Sequence, residues 1–248
     1  AAVCMDPGST AVVDGTTVKD STAGWNGGGF YNEGNLTTKN CLITGNVAEG
    51  SGTYLSGGGI YYNAENDNTA LKLGDGTVIT GNKSKQGGGG GVYADMQVRS
   101  HNWGKSLSLS GTVKIYNNTA SHHSNYGGVF DNAGKAAFKL ENDFNAESYI
   151  HYTATAGRLT TDYSSLADDR TSCFVSDADK TQTVAKDGYL YLENNRPSYK
   201  ITIQYKNSLG DVIKAADTTK EAKPQGDSTT QVRADRNIRT YEFSHWQV

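Results

Sequence analysis

Proline, cysteine and long apolar runs are scarce in this chain. The cysteine content and the lack of apolar runs each exclude a class of protein. Only 3 of the 248 residues are proline and only 3 are cysteine. The cysteines are odd in number and match no metal-binding spacing, which excludes a fully disulfide-stapled framework. No apolar run reaches the roughly 18 residues of a transmembrane helix, so no membrane insertion is predicted.

An excess of charge of one sign is also lacking. The chain carries 23 Lys and Arg against 26 Asp and Glu, for a net charge of −3, and no block of one sign occurs. Nucleic-acid-binding proteins concentrate basic residues on one face. Nucleic acid is therefore not predicted as a partner, and we expect a monomer that needs no cofactor.

Glycine is abundant, and it recurs in a fixed phrase. Gly-Gly-Gly followed by an apolar residue and an aromatic one occurs at 27–31, 57–61 and 89–93, with a degenerate copy at 126–130. A second phrase, Ile-Thr-Gly-Asn, occurs at 43–46 and 79–82, with Ile-Tyr-Asn-Asn at 115–118. The isoleucines are 36 residues apart in both intervals. A fixed period of this length indicates structural repeats that stack on one another.

Each repeat is interpreted as three short strands, because the apolar residues alternate with a period of two. Stacking the repeats places equivalent residues above one another. The predicted rows are Phe30, Ile60, Val92 and Val129; Ile43, Ile79 and Ile115; Cys41, Thr77 and Val113; and Asn46, Asn82 and Asn118. Cys41 is therefore interpreted as a small buried hydrophobic residue and not as a nucleophile.

A domain boundary is predicted where the repeat phrases end, at Asn194-Asn195-Arg196-Pro197. We predict one domain over residues 1–194, closed by irregular cap strands, and a small β module over residues 198–248. Strands are expected at 199–205 and 241–246. The abrupt start, and an end that reads as the middle of a strand, lead us to expect a fragment of a longer protein.

The phrases resemble the right-handed parallel β-helix repeats of bacterial cell-surface adhesin-like proteins. The resemblance covers roughly residues 12–194 and is strongest over 24–132. Residues 199–248 look like the start of a small repeat module of wall-attached proteins. The resemblance implies an all-β fold, a right-handed parallel β-helix (solenoid) with a small C-terminal β module. It also implies an extracellular, cell-surface location. It implies little about activity, since this architecture hosts lyases, adhesins and phage tailspikes.

Binding is predicted in the loops between strands, since loops on a repeated scaffold usually carry recognition. Segments 47–56, 83–88 and 119–126 are interpreted as loops that leave one edge of the stack, and 94–106 as a longer loop elsewhere. Exposed aromatic residues beside Asn and Ser suit glycans or host surface proteins. The candidate binding residues are Tyr54, His122, His123, Tyr126 and Trp103.

Three alternatives stay open beside the adhesin interpretation. A calcium-dependent lyase needs converging oxygen ligands, but Asp67, Asp75 and Asp95 share no position in the repeat. A glycosidase needs two carboxylates about 5 to 10 Å apart, and no motif pairs any. A spacer would bind nothing. The adjacent His122 and His123 are interpreted as a solvated pair, because no further ligand lies at metal-binding spacing.

Overall fold

The computed structural model of the chain describes residues 1–50, 56–63, 69–95, 107–122, 124–128, 137–153, 157–161, 169–178, 181–194, 199–206 and 212–222. Across these residues the fold is all-β, and the one helical segment is a short 3-10 turn at Thr171–Cys173. None of the helical structure in the same ranges is long and apolar enough to cross a membrane.

Four repeats of four short strands make up most of this structure. The first contains Val3–Met5 (β1), Thr10–Asp14 (β2), Thr17–Lys19 (β3) and Thr22–Ala23 (β4). The second contains Phe30–Asn32 (β5), Asn35–Lys39 (β6), Leu42–Thr44 (β7) and Val47–Ala48 (β8). The third contains Ile60–Asn63 (β9), Ala70–Leu73 (β10), Thr77–Thr80 (β11) and Lys83–Gly88 (β12). The fourth contains Val92–Asp95 (β13), Leu107–Leu109 (β14), Val113–Tyr116 (β15) and Thr119–His122 (β16).

A fifth, incomplete repeat follows with Tyr126–Gly128 (β17), Phe138–Leu140 (β18) and Tyr149–Tyr152 (β19). Each strand pairs in parallel with the strand in the same position of the neighbouring repeat, so that strands in equivalent positions form stacked parallel sheets. The sheets of the first and third positions also join where β17 meets β19. The repeats bury their apolar side chains in one shared core between these sheets.

The predicted isoleucine row is confirmed by the strand register. Ile79 lies opposite Ile43 on one side and Ile115 on the other, and all three are fully buried. The row of Thr77 and Val113 is confirmed in the same way. Cys41 is buried with a free thiol, in agreement with its interpretation as a small core residue.

The prediction of three strands in each repeat is wrong, because each complete repeat has four. The fourth strands, β4, β8, β12 and β16, form their own parallel sheet. Their residues lie largely within the segments that were interpreted as loops at 47–56, 83–88 and 119–126. The physical reason is that β4 and β8 are only two residues long, and β12 ends in glycine. Such strands have no alternating apolar pattern to detect.

The glycine phrases form the corners between each fourth strand and the first strand of the next repeat. The first glycine has a positive φ, at 67° for Gly27 and 61° for Gly57, which other residues adopt at a cost. The second has no room for a side chain, since a Cβ on Gly58 would lie 2.6 Å from the backbone nitrogen of Lys83. Backbone bonds such as Gly28 N–H to the Gly57 carbonyl, at 3.2 Å, connect corner to corner. These glycines therefore serve tight turns.

The C-terminal end of the stack adds irregular strands. They are Gly157–Arg158 (β20), Phe174–Ser176 (β21), Thr181–Lys186 (β22) and Tyr189–Asn194 (β23). Strand β21 pairs in parallel with β19, whereas β20, β23 and β22 form an antiparallel sheet. Phe138, Phe144 and Phe174 pack together at this end, with ring centroids 5.3 and 5.9 Å apart.

The chain divides into two compact units, Ala1–Arg196 and Pro197–Val248. In the second unit, Tyr199–Lys206 (β24) and Val212–Ala222 (β25) form an antiparallel pair. The strand expected at 199–205 is confirmed. The strand expected at 241–246 lies outside the described residues.

Candidate functional site

The structure separates the five predicted binding residues. Tyr54, Trp103 and His123 lie outside the described residues. His122 is exposed at the end of β16, where it lies opposite Gly88 of β12. Tyr126 is fully buried. Of the two described members of the set, His122 is therefore the one on the surface.

The prediction that Tyr126 is an exposed loop residue is wrong. Tyr126 lies opposite Val92 in the strand register, so it continues the core row of Phe30, Ile60 and Val92 in place of the predicted Val129. Its ring packs on Phe138, with centroids 4.6 Å apart, and burial raises the pKa of Tyr126 far above its ordinary value. The cause is a displaced phrase: the glycines at 127–128 follow the core position here instead of preceding it.

Three tyrosines on the outer face of β5, β9 and β13 form a stacked row, which we call the tyrosine ladder: Tyr31, Tyr61 and Tyr93. The ring centroids of Tyr31 and Tyr61 are 5.1 Å apart, and those of Tyr61 and Tyr93 are 6.1 Å apart. The planes differ by 19° and 5°, which is a parallel stack. Equivalent rings in adjacent strands are brought together because the parallel register places Tyr31, Tyr61 and Tyr93 side by side.

A row of oxygen-bearing side chains, Glu33, Asn63 and Asp95, runs beside the ladder. The Tyr31 hydroxyl donates to Glu33 Oε1 at 2.9 Å, and the Tyr61 hydroxyl donates to Asp95 Oδ2 at 3.0 Å. Asn63 Nδ2 also donates to Glu33 Oε1, at 2.9 Å. The register places Asp95 opposite Asn63, so the two carboxylates are neighbours of the same asparagine on opposite sides.

Burial raises the pKa of each ladder hydroxyl. Burial and the hydrogen bond to Glu33 raise the pKa of Tyr31. Burial and the charge of Asp95 raise the pKa of Tyr61 still more. Burial and Asp95 raise the pKa of Tyr93 to about 12. All three groups are phenols at neutral pH, and the Tyr31 and Tyr61 hydroxyls donate hydrogen bonds to carboxylates.

The ladder follows directly after the glycine corners, and the corner between β4 and β5 carries an exposed tryptophan. Trp25 is 69% exposed, the highest value among the large apolar side chains described. Its carbonyl accepts a hydrogen bond from the Gly50 N–H at 3.1 Å, so its backbone is held against the next repeat. Tyr93 lies over the corner of β12, where a Cβ on Gly88 would approach its ring to 3.1 Å.

Sequence reasoning missed Trp25, although a signal for it exists. Trp25 precedes its glycine phrase by two residues, and Tyr54 precedes the next phrase by three. The ladder was missed because its tyrosines were considered only as part of the strand phrase.

The described part of the chain contains no candidate metal centre. No group of three or more His, Cys, Asp or Glu side chains there could hold a metal ion. Of the acidic residues considered for a calcium-dependent lyase, Asp67 lies outside the described ranges. Asp75 accepts a hydrogen bond from the Thr112 N–H at 2.7 Å, at the end of a different strand from Asp95.

The chain matches no family model, no curated protein and no solved structure.

Proposed function

We propose that the chain is part of an extracellular, surface-displayed protein built on a right-handed parallel β-helix. It acts as an adhesin or stalk that binds a glycan or a host surface protein without catalysis. The parallel pairing of each strand with its equivalent in the next repeat supports the β-helix part of the proposal. The adhesin part rests on the resemblance of the repeat phrases and on the aromatic corner.

The observation that carries the binding proposal is the exposed Trp25 on the glycine corner next to the tyrosine ladder. A large exposed indole suits stacking on a sugar ring or docking into a protein pocket. Tyr31 is half-buried at the same end of the ladder, with Glu33 and Asn63 beside it as hydrogen-bonding groups. Tyr54, His122, His123 and Trp103 stay in the proposal as additional contacts.

Binding should depend on Trp25. We expect Trp25→Ala to weaken binding of the best ligand found on a glycan and host-protein array. The loss should be about 2 kcal/mol of binding free energy, or a roughly 30-fold higher Kd, as for an aromatic anchor. The melting temperature should hardly change, since the side chain is exposed. Titration calorimetry at physiological salt measures the affinity.

Val12→Ala is the matched control, because Val12 is 66% exposed but lies on β2, in a different sheet from the tyrosine ladder. Its affinity should equal that of the parent. If Trp25→Ala, Tyr54→Ala and Trp103→Ala all bind as the parent does, the ligand site lies elsewhere. An array without any ligand would favour the spacer alternative.

A polysaccharide-degrading enzyme is the second candidate, and the pair Glu33 and Asp95 favours it. Both neighbour Asn63, so they are two strand spacings apart, or roughly 10 Å along the sheet. Inverting glycosidases hold their two carboxyl groups about 6.5 to 9.5 Å apart. The glycine phrases align the two carboxylates, since Glu33 and Asp95 each stand four residues after the third glycine of their phrase, as Asn63 does.

If this candidate is correct, reducing ends should appear when the chain is incubated with a polysaccharide library, and Glu33→Gln should abolish them. Glu49→Gln is the control, since Glu49 pairs with Lys85 on the surface at 2.8 Å. An ultraviolet-absorbing unsaturated product from pectin in the presence of Ca²⁺ would indicate a lyase instead. Saturable binding with no product from any polysaccharide would rule out the enzyme.

A further inference from the structure

Three side chains near the C-terminal end of the stack form a connected set apart from the ladder: Tyr149, His151 and Asp177. Tyr149 and His151 are the outward-facing residues of β19, and Asp177 directly follows β21, which pairs with β19. The His151 Nδ1 lies 2.7 Å from Asp177 Oδ1, and its Nε2 lies 2.7 Å from the Tyr149 hydroxyl. The imidazole thus bridges a carboxylate and a phenol.

Hydrogen-bonding capacity assigns the protons. An ionised carboxylate only accepts hydrogen bonds, so Nδ1 carries the hydrogen and donates it to Asp177. In the neutral imidazole Nε2 is then an acceptor, and the Tyr149 O–H donates to it. This is the arrangement of a nucleophile, a base and a group that orients the base.

The set is both held in place and open to solvent. Asn125 Nδ2 donates to Asp177 Oδ2 at 2.9 Å, and the Asp177 N–H donates to the Tyr152 carbonyl at 2.7 Å. The side chains of His151 and Asp177 are 22% and 21% exposed.

We propose that Tyr149, His151 and Asp177 form an acyl-transfer site in which Tyr149 is the nucleophile. The Tyr149 Oη attacks the carbonyl carbon of an acyl donor while its proton passes to His151 Nε2. The bond from that carbon to the leaving oxygen or sulfur breaks, and the leaving group departs with the electron pair and takes up the proton. Water then hydrolyses the tyrosyl ester, with His151 accepting the proton of the water and Tyr149 recovering its own. Asp177 is a positioning residue.

The nucleophile restricts the class of substrate. A phenol has an ordinary pKa of about 10 and a thiol one of about 8.5, whereas aliphatic alcohols are much weaker acids. Phenolate therefore displaces a thiolate or an aryloxide readily but an alkoxide poorly. The expected substrates are thioesters and aryl esters, not alkyl esters.

The test uses the full chain with p-nitrophenyl acetate and an acetylated small thiol. We expect nitrophenolate release and a single acetyl adduct, located on Tyr149 by peptide mass spectrometry. Tyr149→Phe should remove the adduct and keep the ring contact with Tyr116, whose centroid is 6.1 Å away. His151→Gln should slow acetylation at least about 100-fold, the usual contribution of a general base.

Lys19→Gln is the control, because p-nitrophenyl acetate also acetylates exposed amines and Lys19 is exposed on β3, outside the set. It should leave the Tyr149 adduct unchanged. Asp177→Asn should change the His151 tautomer in ¹⁵N spectra and slow acetylation, which a merely structural role would not do. Acetylation confined to lysines, or a Tyr149 adduct that forms equally fast in folded His151→Gln protein, overturns the proposal.

Discussion

Ile79→Asp should lower the free energy of unfolding of the repeat domain by at least about 4 kcal/mol. Ile79 is fully buried in β11 between Ile43 and Ile115, among apolar side chains. A carboxylate there loses its hydration and gains no positive partner. Since a domain of this kind is stable by only about 5 to 15 kcal/mol, the loss removes a large part of the total. Urea denaturation followed by far-ultraviolet circular dichroism measures it.

Val78→Asp is the matched control, because Val78 is the adjacent residue of β11 and faces outward, half-exposed. It should cost less than about 1 kcal/mol. An Ile79→Asp protein as stable as the parent would contradict the registered isoleucine row, and with it the stacked arrangement of the repeats.

Asn82→Ala should be almost as damaging, for a polar reason. The Asn82 Oδ1 accepts from the Asn46 backbone N–H at 3.0 Å and from Asn46 Nδ2 at 2.9 Å. Its Nδ2 donates to the Ile43 carbonyl at 2.8 Å and to Asn118 Oδ1 at 2.9 Å. Alanine leaves several buried groups without these partners, at about 1 to 3 kcal/mol each. We expect a total of about 3 to 5 kcal/mol.

Asn35→Ala is the control for this variant, since Asn35 is half-buried on the outer side of β6. It should change stability by no more than about 1 kcal/mol. Hydrogen exchange gives a second measurement: the Asn46 amide should lose protection in Asn82→Ala and keep it in Asn35→Ala. Equal unfolding midpoints for the two variants would mean that the asparagine row is not a structural element.

The sequence predicted that the three asparagines of the row align, but it did not indicate how far the row extends. The structure confirms the row at 46, 82 and 118, where each side chain bonds the next repeat. It then continues to Asn125, which is only 7 residues from Asn118, and from there to Asp177. The period of the repeat could not indicate these last two members, because Asn125 lies in the corner before β17 and Asp177 follows β21, and neither is the position that Asn46, Asn82 and Asn118 occupy.

The candidate sites depended still more on tertiary structure. Tyr126 was predicted to be exposed because it lies in segment 119–126, which was interpreted as a loop with Asn and Ser, yet the register places it in the core. Trp25 lies just before a glycine phrase and was not considered, and the tyrosine ladder lies in phrases that were interpreted as strands. Asp177 lies 26 residues from His151, and they meet only because β21 pairs with β19.

By itself the sequence determined the all-β class, the 36-residue period and the side chains that stack in the core. A position that is buried in every repeat needs a similar side chain each time, so the same residue types recur at the same spacing. Only the tertiary structure decided the number of strands in a repeat, the burial of Tyr126 and the hydrogen bonds that join Tyr149, His151 and Asp177. Two-residue strands are stabilised by hydrogen bonds from neighbouring repeats and leave no local pattern. Outer-face groupings depend on the register between strands distant in sequence, which no single phrase records.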